Sequence, residues 1–170
     1  MNSTLGTSAD RYGVEGVVGV RAITHYAGRF FSPVYGYCEW KRGLHTASCA
    51  IGCMTVPGDR HQGCGFHAFW EPQEAKLFVE HIRGSDTCLV LIECFGRVAM
   101  HERGLRAQRA RIIAALDWDP RNVIAGWPAL SDYRELSLPA AAARAFDVPL
   151  IDDGVAQNLI ESQRERVAVA

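Results

Sequence analysis

Between Cys49 and His67, three cysteines and two histidines fall within nineteen residues: Cys49-Ala50-Ile51-Gly52-Cys53, then His61-Gln62-Gly63-Cys64-Gly65-Phe66-His67. Thiolate and imidazole are the side chains that hold Zn²⁺ or that pair as nucleophile and base. Cys49 and Cys53 are separated by three residues, and His61 and Cys64 by two. Both spacings suit ligand pairs, so a tetrahedral Cys₃His site from Cys49, Cys53, His61 and Cys64 is chemically reasonable. Four protein ligands would make one such zinc structural rather than catalytic. The pairs are not the repeated C-x₂-C signature, and the same residues also read as reduced, partly buried thiols around a glycine-rich turn.

Nucleophilic chemistry is the competing use of this segment. Cys64 lies between two glycines, which frees its backbone and could expose its sulfur. His61 and His67 are close in sequence, and His101 could approach in space. A Cys–His pair lowers the thiol pKa and activates the sulfur. No family-specific cysteine signature accompanies Cys64, however, and no orienting third residue is identified. A thiol enzyme using Cys64 with His67 or His101 therefore stays the alternative, and the chain is expected not to be an enzyme.

The working charges are expected further along, where Arg97, Arg103, Arg106, Arg109 and Arg111 surround a single Glu102. Arginine suits bidentate contacts to phosphate or carboxylate. The bland alternative is a solvated face in which Glu102 pairs with Arg106 or Arg97. The binding reading takes Arg97, His101, Arg106 and Arg109 as contacts to an anion, with Trp40, Phe95 or Phe66 as stacking partners. His101-Glu102 begins like a zinc-protease motif, but position 105 is Leu105, which rejects it. The glycine-rich phosphate loops and the G-x-S-x-G elbow are also absent. Asp152 and Asp153 read as helix-start residues, and Asp117 and Asp119 flank a proline turn.

Three motifs resemble a family of small, largely uncharacterised bacterial proteins associated with actinobacteria. They are Trp40-x₂-Gly43-x₃-Ala47-x-Cys49, Cys64-Gly65-Phe66-His67-Ala68, and Phe95-Gly96-Arg97-Val98-x₂-His101-Glu102-x-Gly104-x-Arg106-Ala107. A later Phe146-Asp147-Val148-Pro149 is similar to that family's tyrosine-glycine-valine-proline ending. The family pattern carries a cysteine two residues before Cys64 and a tyrosine at position 67. Gln62 and His67 stand there instead, which weakens any metal site carried over. The resemblance implies no activity. It implies that the cysteine turn and the arginine strand belong to one compact unit.

The elements that must position these residues follow from periodicity. Residues 1–13 are small and polar and are expected as a flexible tail. Val17 to Tyr26 is rich in β-branched residues and predicts a strand ending at Gly28. Phe30 to Trp40, broken by Pro33 and Gly36, predicts short strands, Lys41-Arg42-Gly43 a turn, and His45 to Ala50 another short strand. Met54 to Gly65 reads as a loop. A helix is expected from Pro72, with Ala75, Phe78, Val79 and Ile82 on one side and Gly84 ending it. Cys88 to Glu102 predicts a strand, apolar on both faces at Leu89 and Leu91 and bulged at Gly96. Residues 103–116 suit a helix by alanine content, or an irregular basic segment leading to a strand. Pro139 to Phe146 predicts an alanine-rich helix, and a last helix runs from Asp152 or Asp153 to about Val167.

With 170 residues, 48% hydrophobic and 22% charged, the chain has the composition of an ordinary globular domain. It is long enough to bury a core without staples. A formal net charge of −1 gives no global attraction to nucleic acid or anionic lipid, so any such contact must come from a local patch. The start lacks the pattern of a secretory signal, and no apolar stretch is long enough to span a membrane. The six cysteines are therefore expected to be mostly reduced, in the cytoplasm, with Cys88 and Cys94 acting as small hydrophobes. The expected fold is α+β: a bent, mostly antiparallel sheet or a small SH3- or PUA-like barrel, with flanking helices. The domain is placed at 14–150, with 151–170 as a C-terminal helix. The expected function is a cytoplasmic, non-enzymatic binding module for an anionic partner, nucleic acid or a nucleotide-like ligand. A protein partner, with the protein acting as an assembly factor, is the further alternative.

Overall fold

The computed structural model describes residues 10–11, 16–33, 38–47, 65–82, 86–120 and 137–169. Along the chain run β1 (Asp10–Arg11), β2 (Val17–Tyr26), β3 (Arg29–Phe31), β4 (Glu39–Trp40), β5 (His45–Thr46) and β6 (Phe66–Phe69). Then follow α1 (Pro72–His81), β7 (Thr87–His101), β8 (Gly104–Leu116), α2 (Leu138–Phe146), β9 (Leu150–Ile151) and α3 (Asp153–Val169). The α+β class, the bent and mostly antiparallel sheet, the flanking helices and the C-terminal helix are all as expected. Among the described residues only the pairing of β8 with β9 is parallel. The expected tail contributes a strand, because Asp10 and Arg11 pair with Ala99 and Val98.

The frame is the long β7–β8 hairpin, turned at Glu102-Arg103 with His101 opposite Gly104. Leu89, Val90, Leu91 and Ile92 in β7 have no exposed surface, the full burial that a strand covered on both faces requires. β2 pairs with the first half of β7, from Val17↔Cys94 to Thr24↔Thr87. β6 pairs with the first residues of β8, from Phe66↔Ala107 to Phe69↔Gly104. Both hairpin strands carry register shifts, at Leu91/Ile92 and at Phe95/Val98. The second contains Gly96 at φ +75°, the expected bulge, where added twist bends the strand. The bent sheet then meets itself: β2 and β6 join through one rung, Val20↔Phe69, completing a partial ring.

That closure needs small residues. A Cβ on Gly104 would overlap the carbonyl oxygen of Ala68, and one on Gly19 would lie 2.8 Å from the Ala68 Cβ. Gly19, Ala68 and Gly104 thus let three strands approach where the ring closes.

The helical alternative for residues 103–116 is corrected: after the turn residue Arg103 the segment is strand β8. Its alanines favour a helix locally, but pairing with β7, β6, β5 and β9 satisfies its backbone from outside. The same alanines are useful there. Ala107, Ala110 and Ala115 are fully buried, and their small size leaves room for covering elements, α2 among them. Helix α1 begins at Pro72 as expected and ends at His81, with the αR residue Ile82 as its cap; Gly84, expected to end it, lies outside the described residues. α2 is capped by Ser137, whose Oγ accepts from Ala140 N at 3.3 Å. At the start of α3, Asp152 Oδ1 accepts from Val155 N at 2.9 Å, the helix-start role expected of it. Lys76 on α1 pairs with Asp153 on α3. Cys88 and Cys94 are wholly buried, and among the described residues no disulfide joins Cys38, Cys88 and Cys94. Among the described residues no helix is long and apolar enough to cross a membrane.

Candidate functional site

The fold divides the expected site residues into two groups. The first gathers where β2, β6 and the hairpin turn meet. Arg21 projects from an otherwise apolar stretch of β2, and its guanidinium lies 5.3 Å from the Trp40 ring centre and 5.7 Å from that of Phe66, within cation–π range. Arg21 Nη1 donates to the His67 carbonyl oxygen at 2.6 Å, and Nη2 to Ser32 Oγ at 2.9 Å. Ser32 Oγ also accepts from Trp40 Nε1 at 3.2 Å. Across the β6–β8 ladder His67 stands opposite Arg106, and Arg106 Nε donates to His101 Nε2 at 3.1 Å. That bond makes His101 Nε2 an acceptor, so the neutral ring carries its proton on Nδ1.

The electrostatics of this group are one-sided. Burial lowers the Arg21 pKa to about 10, against the opposing influence of the Cys38 and Cys94 sulfurs. Burial also pushes the Cys94 thiol far up, outweighing Arg21, so Cys94 stays protonated. His67 is lowered to about 4, by burial first, then by Arg21, Arg106 and His101. It is neutral near pH 7 and a weak base there, a poor match to the general base that a Cys64 thiol would need.

Three expected contact residues are buried here. Trp40 retains 3% of its surface and Phe66 likewise 3%. Both rings are spent on the core and on Arg21 and offer no stacking platform to a ligand. Arg106 retains 8% and is a sheet-interior residue bonded to His101, not a groove contact.

The second group lies further along β8. Phe95 stands opposite Arg109, and Glu93 opposite Arg111. Arg111 is held by Glu93, with Nη2 to Oε2 at 2.6 Å, and its guanidinium covers the Phe95 ring at 5.3 Å. Arg109 is exposed and has no hydrogen-bond or ion-pair partner among the described residues. Phe95, Arg109 and Arg111, with Gly43 and Leu44, line a surface concavity of about 290 Å³. Its Gly43–Leu44 wall is anchored by Arg42, which donates to Ala145 O at 2.9 Å and Arg144 O at 3.2 Å at the end of α2. Arg97 is half-buried at the bulge between the two groups.

Cys49, Cys53, His61 and Cys64 lie outside the described residues. Among the described residues no group of three or more histidine, cysteine or acidic side chains is placed to hold a metal. Sequence reasoning missed Arg21, whose only signal was one charge within the apolar run from Val17 to Ile23. It also missed Glu93 as the partner of Arg111. No protein-family model, curated protein or solved structure matches the chain.

Proposed function

We propose that the protein is a non-enzymatic binding module that receives an anionic partner, nucleic acid or a nucleotide-like ligand, in the concavity lined by Phe95, Arg109 and Arg111. The observation that carries this reading is Arg109, an exposed guanidinium with no partner among the described residues, beside a half-buried aromatic ring. Glu93 offsets Arg111, so Arg109 is the charge left to meet a phosphate, while Phe95 and Leu44 offer apolar surface to a base or sugar. A concavity of about 290 Å³ is at the small end of ligand sites and suits one nucleotide unit rather than a deep enclosed ligand. A structural zinc on Cys49, Cys53, His61 and Cys64 belongs to the same proposal.

The test is fluorescence anisotropy with a labelled single-stranded oligonucleotide, alongside calorimetry with nucleoside monophosphates. Arg109→Ala is expected to weaken binding about tenfold and to flatten the salt dependence by about one phosphate contact. Unchanged affinity and salt slope in Arg109→Ala would overturn the placement.

A further inference from the structure

The two arginines that line the concavity are held in different ways. Glu93 and Phe95 on β7 stand directly opposite Arg111 and Arg109 on β8, so all four side chains share one face of the hairpin. Arg111 reaches diagonally across the ladder, and its guanidinium covers the Phe95 ring at 5.3 Å. Its Nε and Nη2 both donate to Glu93 Oε2, at 2.7 and 2.6 Å. Carboxylate and ring together fix the plane of this guanidinium before any ligand arrives, and the carboxylate offsets its charge. The Arg111 side chain is nevertheless 52% exposed and lines the concavity. Arg109 has no such frame. It lies along the bulge, where a Cβ added to Gly96 would come within 3.3 Å of Arg109 Nε, and no carboxylate among the described residues holds it. One guanidinium is thus a fixed, neutralised plane, and its neighbour two residues away is a charge able to turn.

We infer that Arg111, pinned by Glu93 on Phe95, is a stacking platform for an unpaired nucleobase, carried by a single strand or a free nucleotide, and that it makes the concavity discriminate against duplex. The inference rests on the reading of the concavity as an anion site. A guanidinium is planar and delocalised, and it stacks on the flat face of a base. An ordinary exposed arginine must give up side-chain freedom to do so; here Glu93 and Phe95 have already removed it. Two residues of strand set the arginines about 7 Å apart along the backbone, room for a sugar between a base on Arg111 and a phosphate on Arg109. Leu44, an exposed apolar side chain, lines the same concavity and offers the base a second contact. A duplex keeps its base faces inside its own stack, so only an unpaired base can use the platform.

The experiment titrates the full chain into three labelled ligands of equal length: a single-stranded oligonucleotide carrying 2-aminopurine, the same strand with abasic sites, and the matched duplex. The intact strand is expected to bind about tenfold tighter than the abasic strand or the duplex, with 2-aminopurine emission quenched at saturation. Arg111→Lys keeps the charge but not the plane; it should relieve the quenching and bring the ratio between intact and abasic strands towards one. Should Arg111→Lys fail to fold, the comparison of intact with abasic strand on the wild-type chain decides alone. A nucleoside monophosphate that binds as tightly as the strand identifies the free nucleotide as the source, and weaker binding identifies the polymer. Equal affinity for intact and abasic strands, or for the duplex, overturns the platform, as does wild-type quenching in folded Arg111→Lys. In those cases the anion reading still stands if Arg109→Ala weakens binding. Binding indifferent to Arg109→Ala, or no binding of any strand, overturns that reading and the platform with it.

Discussion

Arg21 Nη1 donates to the main-chain oxygen of His67 at 2.6 Å, next to the one rung, Val20↔Phe69, that joins β2 to β6. A side chain therefore supplements a backbone ladder at the point where the sheet closes. Arg21→Ala removes this bond and the one to Ser32 and takes the guanidinium away from the Trp40 and Phe66 rings. A loss of about 1–3 kcal/mol in stability is expected, from two lost hydrogen bonds, one of them part-buried, and lost packing. Urea unfolding measures it; a loss below the error of the method would mean that Arg21 is not needed for closure.

Closure also depends on Gly104. Its replacement by alanine would drive a methyl group into the Ala68 carbonyl, and neither partner is a flexible side-chain end. Gly104→Ala is expected to destabilise by about 2 kcal/mol or more, the scale of overpacking in a tight interior. At Gly28, by contrast, nothing lies within 4 Å of an added Cβ, so Gly28→Ala is penalised only for its positive φ, by about 1 kcal/mol. Equal losses in the two variants would contradict the strand contact.

Acid sensitivity follows from His67. Its folded pKa of about 4 lies below its ordinary 6.5. Between those values the unfolded chain binds the proton and the folded chain does not, so stability falls as pH drops through that window and levels off beneath it. Solvent screening of this exposed residue keeps the effect modest. Denaturation midpoints above, within and below the window should show a smaller acid loss for His67→Gln than for wild type. Parallel curves would assign the loss to other groups.

Arg42 connects the outer concavity to α2. Arg42→Ala removes two bonds to the last carbonyls of that helix, and a loss of about 1 kcal/mol is expected. Oligonucleotide affinity should fall with it, because the Gly43–Leu44 wall loses its anchor, although Arg42 does not line the concavity. Anisotropy at a temperature where the variant stays folded tests the coupling; full affinity would show that the wall holds without Arg42.

Native mass spectrometry addresses the cysteine cluster. One zinc per chain is expected, removed by chelator and absent from a Cys53→Ser, Cys64→Ser double variant. A chain of apoprotein mass prepared without chelator in zinc-supplemented medium would remove the metal from the proposal.

Much of the scaffold was legible because its signals were local. The β-branched run delimited β2 at Val17–Tyr26, Pro72 opened α1, and Asp152 marked the start of α3. β8 was ambiguous because alanine and arginine are good helix formers, and only partners on other strands decide otherwise. The site was harder still. An aromatic residue reads alike as a platform or as core, so Trp40 and Phe66 passed for ligand contacts until Arg21 was found packed against them. Arg109 was identified for its type, but its lack of a partner among the described residues follows from a strand pairing that gives Glu93 to Arg111.

The unequal reach of the strand pairings sets an order of assembly. His101 and Arg106, bonded across the β7–β8 turn, are five residues apart, whereas Thr24 and Thr87, in contact between β2 and β7, are 63 apart. Joining distant segments carries a larger entropy loss than closing a tight hairpin, and it slows folding. The hairpin is therefore expected to nucleate first, with β2 recruited along its edge and the single rung to β6 closing last. The same reasoning makes the Val20↔Phe69 rung the weakest seam of the ring, and faster amide exchange there than along the β7–β8 ladder is the expected readout.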